Sequence, residues 1–437
     1  MRNSGVLAPL RRSAFRRLAA SYAVNELGDW MGIIALSVLV FDKTGSAMAT
    51  AALFVGTGFL PAVLAPIIVV RAEQPPPRYA LPVIYCGEAA AFLALAILAD
   101  HFSLVAVVVF ATIDGALALT GRAVTRAVTA AMLEPTGELR AGNAILNVAF
   151  TGGAALGPGI AGLVVAAFDV QTALLLDAVS FYVIALILFT AGPLPQATPD
   201  PGRVRERLKA GIAYIGEQTR LRRLLIAEGV AFVFFAAVIP IEVIYAKETL
   251  DVGDSGYGLL LASWGVGMVV GSFVFATLRK SRLPYLLFFS TITIGIGYLG
   301  MAVAPGLVLA CVASAVGGAG NGVQWVTMVS AVQELTAPNM QARVMSVLES
   351  SGAAMPGVGY VIGGAIATSQ DPRATFLVAG GGVLLIVAIA APILGSRWPE
   401  KAVGDADGEV MVELIPASPA IPAIPGGGPA GPTWRSK

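Results

Sequence analysis

The sequence predicts an all-α polytopic membrane protein, with twelve helices arranged as two pseudo-symmetric bundles of six. Three observations carry that expectation. Apolar residues make up 57% of the 437 and charged ones only 13%, with a mean hydropathy of +0.80, outside the range of soluble chains. Apolar runs of about 20 residues recur along the chain, each long enough at about 1.5 Å per residue to cross a hydrocarbon core of roughly 30 Å. The chain also resembles itself: displaced by 209 residues, "DKTGSAMATAALFVGTGF" falls on "DVGDSGYGLLLASWGVGM", and displaced by 202, "LGPGIAGLVV" falls on "VGYVIGGAIA", pairing Gly157 with Gly359 and Gly162 with Gly364.

The helices are expected near residues 20–41, 48–70, 79–99, 103–127, 141–167, 171–191, 224–246, 256–278, 283–303, 306–332, 343–368 and 374–395. An even number places both termini on one side. Basic residues in short loops stay in the cytoplasm, and Arg11, Arg12, Arg16, Arg17, Arg71, Arg78, Arg140, Arg203 to Arg223, Arg279, Lys280, Arg282, Arg343 and Arg397 share the side of the N-terminus, with only Lys43, Lys247 and Arg373 opposite. Both termini are therefore expected in the cytoplasm and the chain in the cytoplasmic (inner) membrane. The opening "RRSAFRR" precedes an apolar run too long for an export signal and without a small-residue cleavage site, which reads as an uncleaved first helix.

The domains follow from these runs: an N-terminal bundle over 1–191, a connector over 192–223, a C-terminal bundle over 224–395 and a Pro/Gly/Ala-rich tail over 396–437, expected to be disordered. The connector "RVRERLKAGIAYIGEQTRLRR" has Val204, Leu208, Ile212 and Ile215 at helical spacing, as in a helix lying on anionic headgroups. Cys86, Cys311 and the lone His101 support neither a disulfide framework nor a metal site. No Walker motif, nucleophile elbow or cofactor motif is present, so neither catalysis nor ATP-driven work is expected.

Polar residues inside the spans are the candidate functional groups, because a charge at mid-bilayer costs on the order of 3 kcal/mol and faces a cavity or a partner. Glu26 and Asp29 lie three apart on one face of the first helix, beside Asn25 and Trp30. Asp114, Arg122 and Arg126 keep near one face of the fourth, where they form a polar seam that pairs with the first; a purely structural tie, and an interfacial anchor for Arg126, are the alternatives. At a displacement of 209 residues Glu26 and Asp29 fall on Phe235 and Val238, so neither has an acidic twin there. Glu88 and Glu349 lie closer to helix ends and read as structural. Asn321, Gln324 and Trp325 suggest a hydrogen-bonding cavity face on the tenth helix, while Phe150, Phe234, Phe235, Tyr245, Trp264 and Met328 divide between cavity and packing. Small residues at 152, 153, 157, 159, 161 and 162 with Pro158 make the fifth helix close-packing and kinked, and "GAAMPGVGYVIGG" echoes it in the eleventh.

The six-plus-six pattern with its central connector resembles the major facilitator superfamily. "GGAALGPGIAG" is similar to that family's antiporter motif, with Gly153, Gly157, Pro158 and Gly162 in place, and "FRRLAASYAVNELGDW", "TRAVTAAMLEPTGELRAGNAI" and "QELTAPNMQARVMS" resemble its macrolide and enterobactin exporter branch. In the loop after the second helix, "APIIVVRAEQPPPRYA" keeps Arg71 and Arg78 of the family's gate, with Val70 replacing the acid and prolines 75 to 77 the flexible middle. The resemblance implies proton-coupled alternating access that exports a small amphipathic or hydrophobic compound, with symport of a solute, lipid flipping or membrane sensing as alternatives. Under it, Asp29, Glu26 and Asp114 are the candidates for proton coupling, Asn25, Trp30, Arg122, Asn321, Gln324 and Trp325 for the cavity, and Gly153, Gly157, Pro158, Gly162, Arg71, Arg126, Gly359 and Arg343 for packing and gating. The expected partners are the substrate, protons and the bilayer, with no nucleic acid, no cofactor or metal, and a monomeric chain.

Overall fold

Twelve long helices make up most of the computed structural model, which describes residues 7–64, 68, 75–190, 194–195, 203–278, 282–337 and 340–395. The first half comprises α1 (Ser13–Thr44), α2 (Ala47–Leu64), α3 (Pro77–Asp100), α4 (Leu104–Leu133), α5 (Leu139–Ala167) and α6 (Val170–Phe189). The second comprises α7 (Thr219–Thr249), α8 (Asp254–Thr277), α9 (Leu283–Val303), α10 (Leu307–Glu334), α11 (Gln341–Ser369) and α12 (Pro372–Gly395). Eleven of them are long and apolar enough to cross a bilayer, and α11 is the twelfth of the set. Among the described residues there is no strand. The loop around Arg71 and the tail 396–437 lie outside the described residues; Arg78 stacks on the Tyr79 ring at 4.5 Å as α3 begins.

Local chemistry ends the helices where the apolar runs do. Gly45 adopts φ 58° just past α1, a left-handed turn that is costly for a residue with a Cβ. Ser46, Ser103 and Asp169 then cap α2, α4 and α6 by accepting from the amides of Ala49, Ala106 and Thr172. Asp169 is exposed, and its hydrogen bonds from Thr172 hold its carboxyl below the ordinary aspartate range. Two spans are irregular. In α2 a π-turn covers Val55–Phe59, and in α7 a 3-10 turn at Ile239–Ile241, set by Pro240, is followed by a π-turn at Tyr245–Thr249.

Each half has its own apolar core, built around Phe92, Phe181 and Leu36 in the first and Tyr245, Tyr298 and Phe376 in the second. The halves meet along α5 with α8 and α2 with α11. Polar and aromatic contacts join them from mid-bundle toward the far end, away from the start of α1. Lys247 donates to Asp42 at 2.6 Å and also pairs with Asp254 at 2.7 Å, Ser37 bonds Tyr257 at 3.1 Å, and Phe54 packs on Tyr360. The connector helix, Arg203–Glu217, docks on the second half: Gly211 abuts the Arg343 carbonyl, Ile215 is buried and the Tyr214 hydroxyl accepts from the Ala337 amide. Ile212 points outward while Ile215 is buried, so the face expected to lie on headgroups is divided between protein and surroundings. Arg343 thus meets the connector through its backbone, and the residue is otherwise exposed.

Candidate transport site

The small residues of α5 are used on two faces. A Cβ on Gly153 would lie 2.9 Å from the Glu26 carbonyl, and one on Gly157 would lie 2.6 Å from the Trp30 Cβ, so α5 rides directly on the α1 backbone at the two carboxylates. On its other face Gly162 meets Gly258 of α8 nearly backbone to backbone, and the Pro158 carbonyl faces Gly258 as well. In contrast to its neighbours, Gly152 faces open space. The second half repeats the device: Gly359 and Gly363 close on α7 at Val233 and Ala237, and Gly364 closes on α2 at Ala47 and Ala51.

This packing fixes a charged triad. The Arg122 Nε donates to Glu26 Oε1 and its Nη2 to Asp29 Oδ2, both at 2.7 Å, while the Asn25 amide donates to the same Asp29 oxygen at 3.1 Å. Phe150, one turn before Gly153, places its ring 5.8 Å from the guanidinium. Glu26 is fully buried and the Asp29 side chain is 12% exposed, so Asp29 is the less buried of the two carboxylates, and each keeps one buried oxygen without a hydrogen-bond partner. The spacing on α4 does bring Arg122 to α1. Asp114, expected in the same seam, lies eight residues and about 12 Å along α4 from Arg122; its Oδ1 is buried without a hydrogen-bond partner, and it interacts with Asp29 and Arg122 through electrostatics alone. Arg126 is half-buried near Tyr22.

Two further acids join this half. Glu88 is at the middle of α3, not near its end as the sequence suggested, fully buried against Gly121 with both oxygens unpartnered. Asp177 of α6 packs between Gly28 and Gly32. Sequence reasoning passed over Asp177, Glu228 and Glu242, although an acid within an apolar run was the available signal in each case.

In the second half the Gln324 amide donates to both Glu228 oxygens, at 2.8 and 2.7 Å. The Glu26–Arg122 and Glu228–Gln324 contacts each span 96 residues, and each residue of the second lies 202 beyond its counterpart. Glu26 therefore does have an acidic twin. The displacement of 209 that hid it belongs to the far end, where α2 and α8 begin at 47 and 254, 207 apart; α5 and α11 begin at 139 and 341 and keep 202. Asp29, by contrast, corresponds to Ala231, and no acid answers it.

A cavity of about 450 Å³, mouth included, opens between α5, α8 and α10, lined among others by Phe150, Thr151, Met268, Ser272 and Trp325. Of the residues expected in a cavity, Trp325 and Phe150 line it. Asn25 and Gln324 are tied to carboxylates, Trp30 is covered by α5, Arg122 lies behind Phe150, and half-buried Asn321 stands one turn from the Gln324 and Trp325 pair. Phe235, Trp264 and Tyr298 instead stack on each other, and Phe234 fills the space over Gly382.

Comparison with known proteins agrees with this architecture. Residues 4–408 match the transmembrane secretion effector family of the major facilitator superfamily. The chain is 27% identical over 381 residues to the multidrug efflux pump Tap of Mycolicibacterium fortuitum, covering 83% of this chain and 91% of Tap. It is 21% identical over 399 residues to YfiS, an uncharacterized MFS-type transporter of Bacillus subtilis (strain 168), covering 88% and 93%. Among solved structures, the nucleoside transporter NupG superposes with a TM-score of 0.69 at 11% identity, covering 89% of this chain and all of NupG. A bacterial homologue of the iron transporter ferroportin does so with 0.69 at 13%, covering 88% and 99%. The chain belongs to the transmembrane secretion effector family of the major facilitator superfamily, and is a multi-pass membrane transporter rather than an enzyme.

Proposed function

We propose that this transporter exports a small amphipathic or hydrophobic compound in exchange for protons, with both termini cytoplasmic in the cytoplasmic membrane. The carrying observation is the Arg122 clamp. One guanidinium joins α4 to two carboxylates of α1, and the more accessible of them, Asp29, also faces a fixed amide donor from Asn25. A proton on Asp29 removes one charge-assisted bond to Arg122 and leaves the other, through Glu26, in place. Proton binding thereby alters the α1–α4 contact without dismantling it, and α1 carries the change directly to α5 through Gly153 and Gly157 and from there to α8 through Gly162.

Three observations support the direction and setting. Basic residues crowd the near end of the bundle, which supports reading it as the cytoplasmic one. Contacts between the halves gather toward the far end, so the cavity at Phe150 and Trp325 faces the cytoplasm in this arrangement, ready to load from inside. The Tap protein, similar along most of both chains, is named as a multidrug efflux pump. A panel of amphipathic drugs, measured for intracellular accumulation with and without the gene, should show lower accumulation of at least one compound, and an uncoupler should erase the difference. Export that survives the uncoupler would rule out proton coupling.

A further inference from the structure

Across the internal repeat, three replacements alter the same small region. Where the first half has Arg122 the second has neutral Gln324, where it has Asp29 the second has Ala231, and where it has the Phe150 ring the second has Gly352. The carboxylate alone is retained, as Glu26 and Glu228. In the first half the pair is completed by a guanidinium; in the second, Glu228 is buried with a single neutral amide shared between its oxygens. A buried carboxylate with no cation is costly to keep ionised, so the repeat has preserved the anion while removing the group that balanced it.

Aromatic surface has been gathered in the same place. Phe232, one helical turn from Glu228, meets the Trp325 ring edge-on at 6.2 Å, and a Cβ at Gly352 would only reach ordinary contact with the Phe232 ring at 3.8 Å. Trp325 lines the cavity between the halves, and its Nε1 is buried without a partner among the described residues. An anion beside aromatic rings, one of which, Trp325, lines the cavity, matches the chemistry that recognises organic cations, through Coulomb attraction and contact with ring faces.

We infer that Glu228, framed by Gln324, Phe232 and Trp325, is the subsite for the positively charged head of an organic cation carried by this protein. The cation supplies Glu228 with the charge that Arg122 supplies to Glu26, approaching from the Trp325 side beside the Gln324 amide, and its apolar body lies in the cavity toward Phe150 and Met268. The inference rests on the reading of the chain as an exporter of amphipathic compounds and narrows it to those bearing a positive charge.

Equilibrium binding to the purified full chain in lipid nanodiscs tests it, at one pH and without a gradient, so that loss of proton coupling leaves the result unaffected. Tetraphenylphosphonium is the charged probe and triphenylphosphine oxide its uncharged relative. Glu228→Gln should weaken tetraphenylphosphonium binding about tenfold, the order expected for loss of one desolvated charge contact. Gln324→Arg should weaken it equally by supplying the internal cation, in a geometry the first half already accommodates. Glu228→Asp should stay within about threefold of the native chain, and the oxide should distinguish none of the variants. Unchanged affinity in monodisperse Glu228→Gln and Gln324→Arg proteins would overturn the assignment and leave Glu228 as a proton site or a tie between α7 and α10. A native chain that prefers the oxide would overturn it as well.

Discussion

Asp29 and Glu26 stand one turn apart and share one guanidinium, yet the repeat treats them differently. Glu26 recurs as Glu228 in the same α-helical pairing, as a residue needed to build either half would, whereas Asp29 is answered by Ala231. Asp29→Asn preserves size and hydrogen bonding but removes titration, so it should lower pH-gradient-driven export at least about tenfold while substrate exchange at equal pH persists. Glu26→Gln should instead lower the unfolding temperature more than Asp29→Asn does, because it unbalances a fully buried contact. Initial rates in everted vesicles and thermal melts in detergent read the two effects separately, and the opposite order would move the coupling role to Glu26. At this scale the sequence was legible where helical spacing decides: Arg122 reaches α1 as its position on α4 implied. Glu228 was not, because the repeat displacement is 202 residues at Glu26 and Arg122 but larger in the stretch around α2 where the self-similarity is plainest. Glu242 was obscured by standing near a helix end, beside the Pro240 turn.

Among the elements, α5 joins the charged triad to the opposite half. Leu at 157 would have to enter the Trp30 Cβ and the Leu27 carbonyl, and overpacking of that kind costs about 1–3 kcal/mol or separates the helices. Gly157→Leu should therefore abolish export with the protein still inserted. Gly152→Leu, one turn away and facing open space, should leave export within about twofold of native, since no neighbour has to move. Comparable export by both variants would show that the seam tolerates separation. The spans themselves were readable because an apolar run must end where the chain leaves the hydrocarbon, and caps such as Gly45 and Ser46 fall at those exits. The irregular end of α7 was not readable. A π-turn has no composition of its own, and "YAKET" forms one that carries Lys247 to Asp42 of the other half.

For the whole molecule, the orientation in the membrane can be checked directly. In a chain with Cys86 and Cys311 replaced by serine, a cysteine at His101 should react with a membrane-impermeant maleimide added to intact cells, and one at Gly137 only after lysis. Labelling in the reverse order would invert the proposed topology. The two-bundle plan was legible because the repeated glycines at 157 and 359 and at 162 and 364 keep one displacement, and the structure shows why: each pair packs the same way, on α1 or α7 within its half and on α8 or α2 across the seam. That seam has a genetic consequence. At Gly162, Gly258 and Gly364 backbone lies against neighbouring backbone or Cβ, and any missense codon change there adds at least one carbon to a place without room for it. The cavity wall at Phe150, Met268 and Trp325 can be traded toward larger or smaller side chains in either direction. The range of compounds carried is thus free to drift across lineages, while the closure that makes carrying directional can mutate only toward failure.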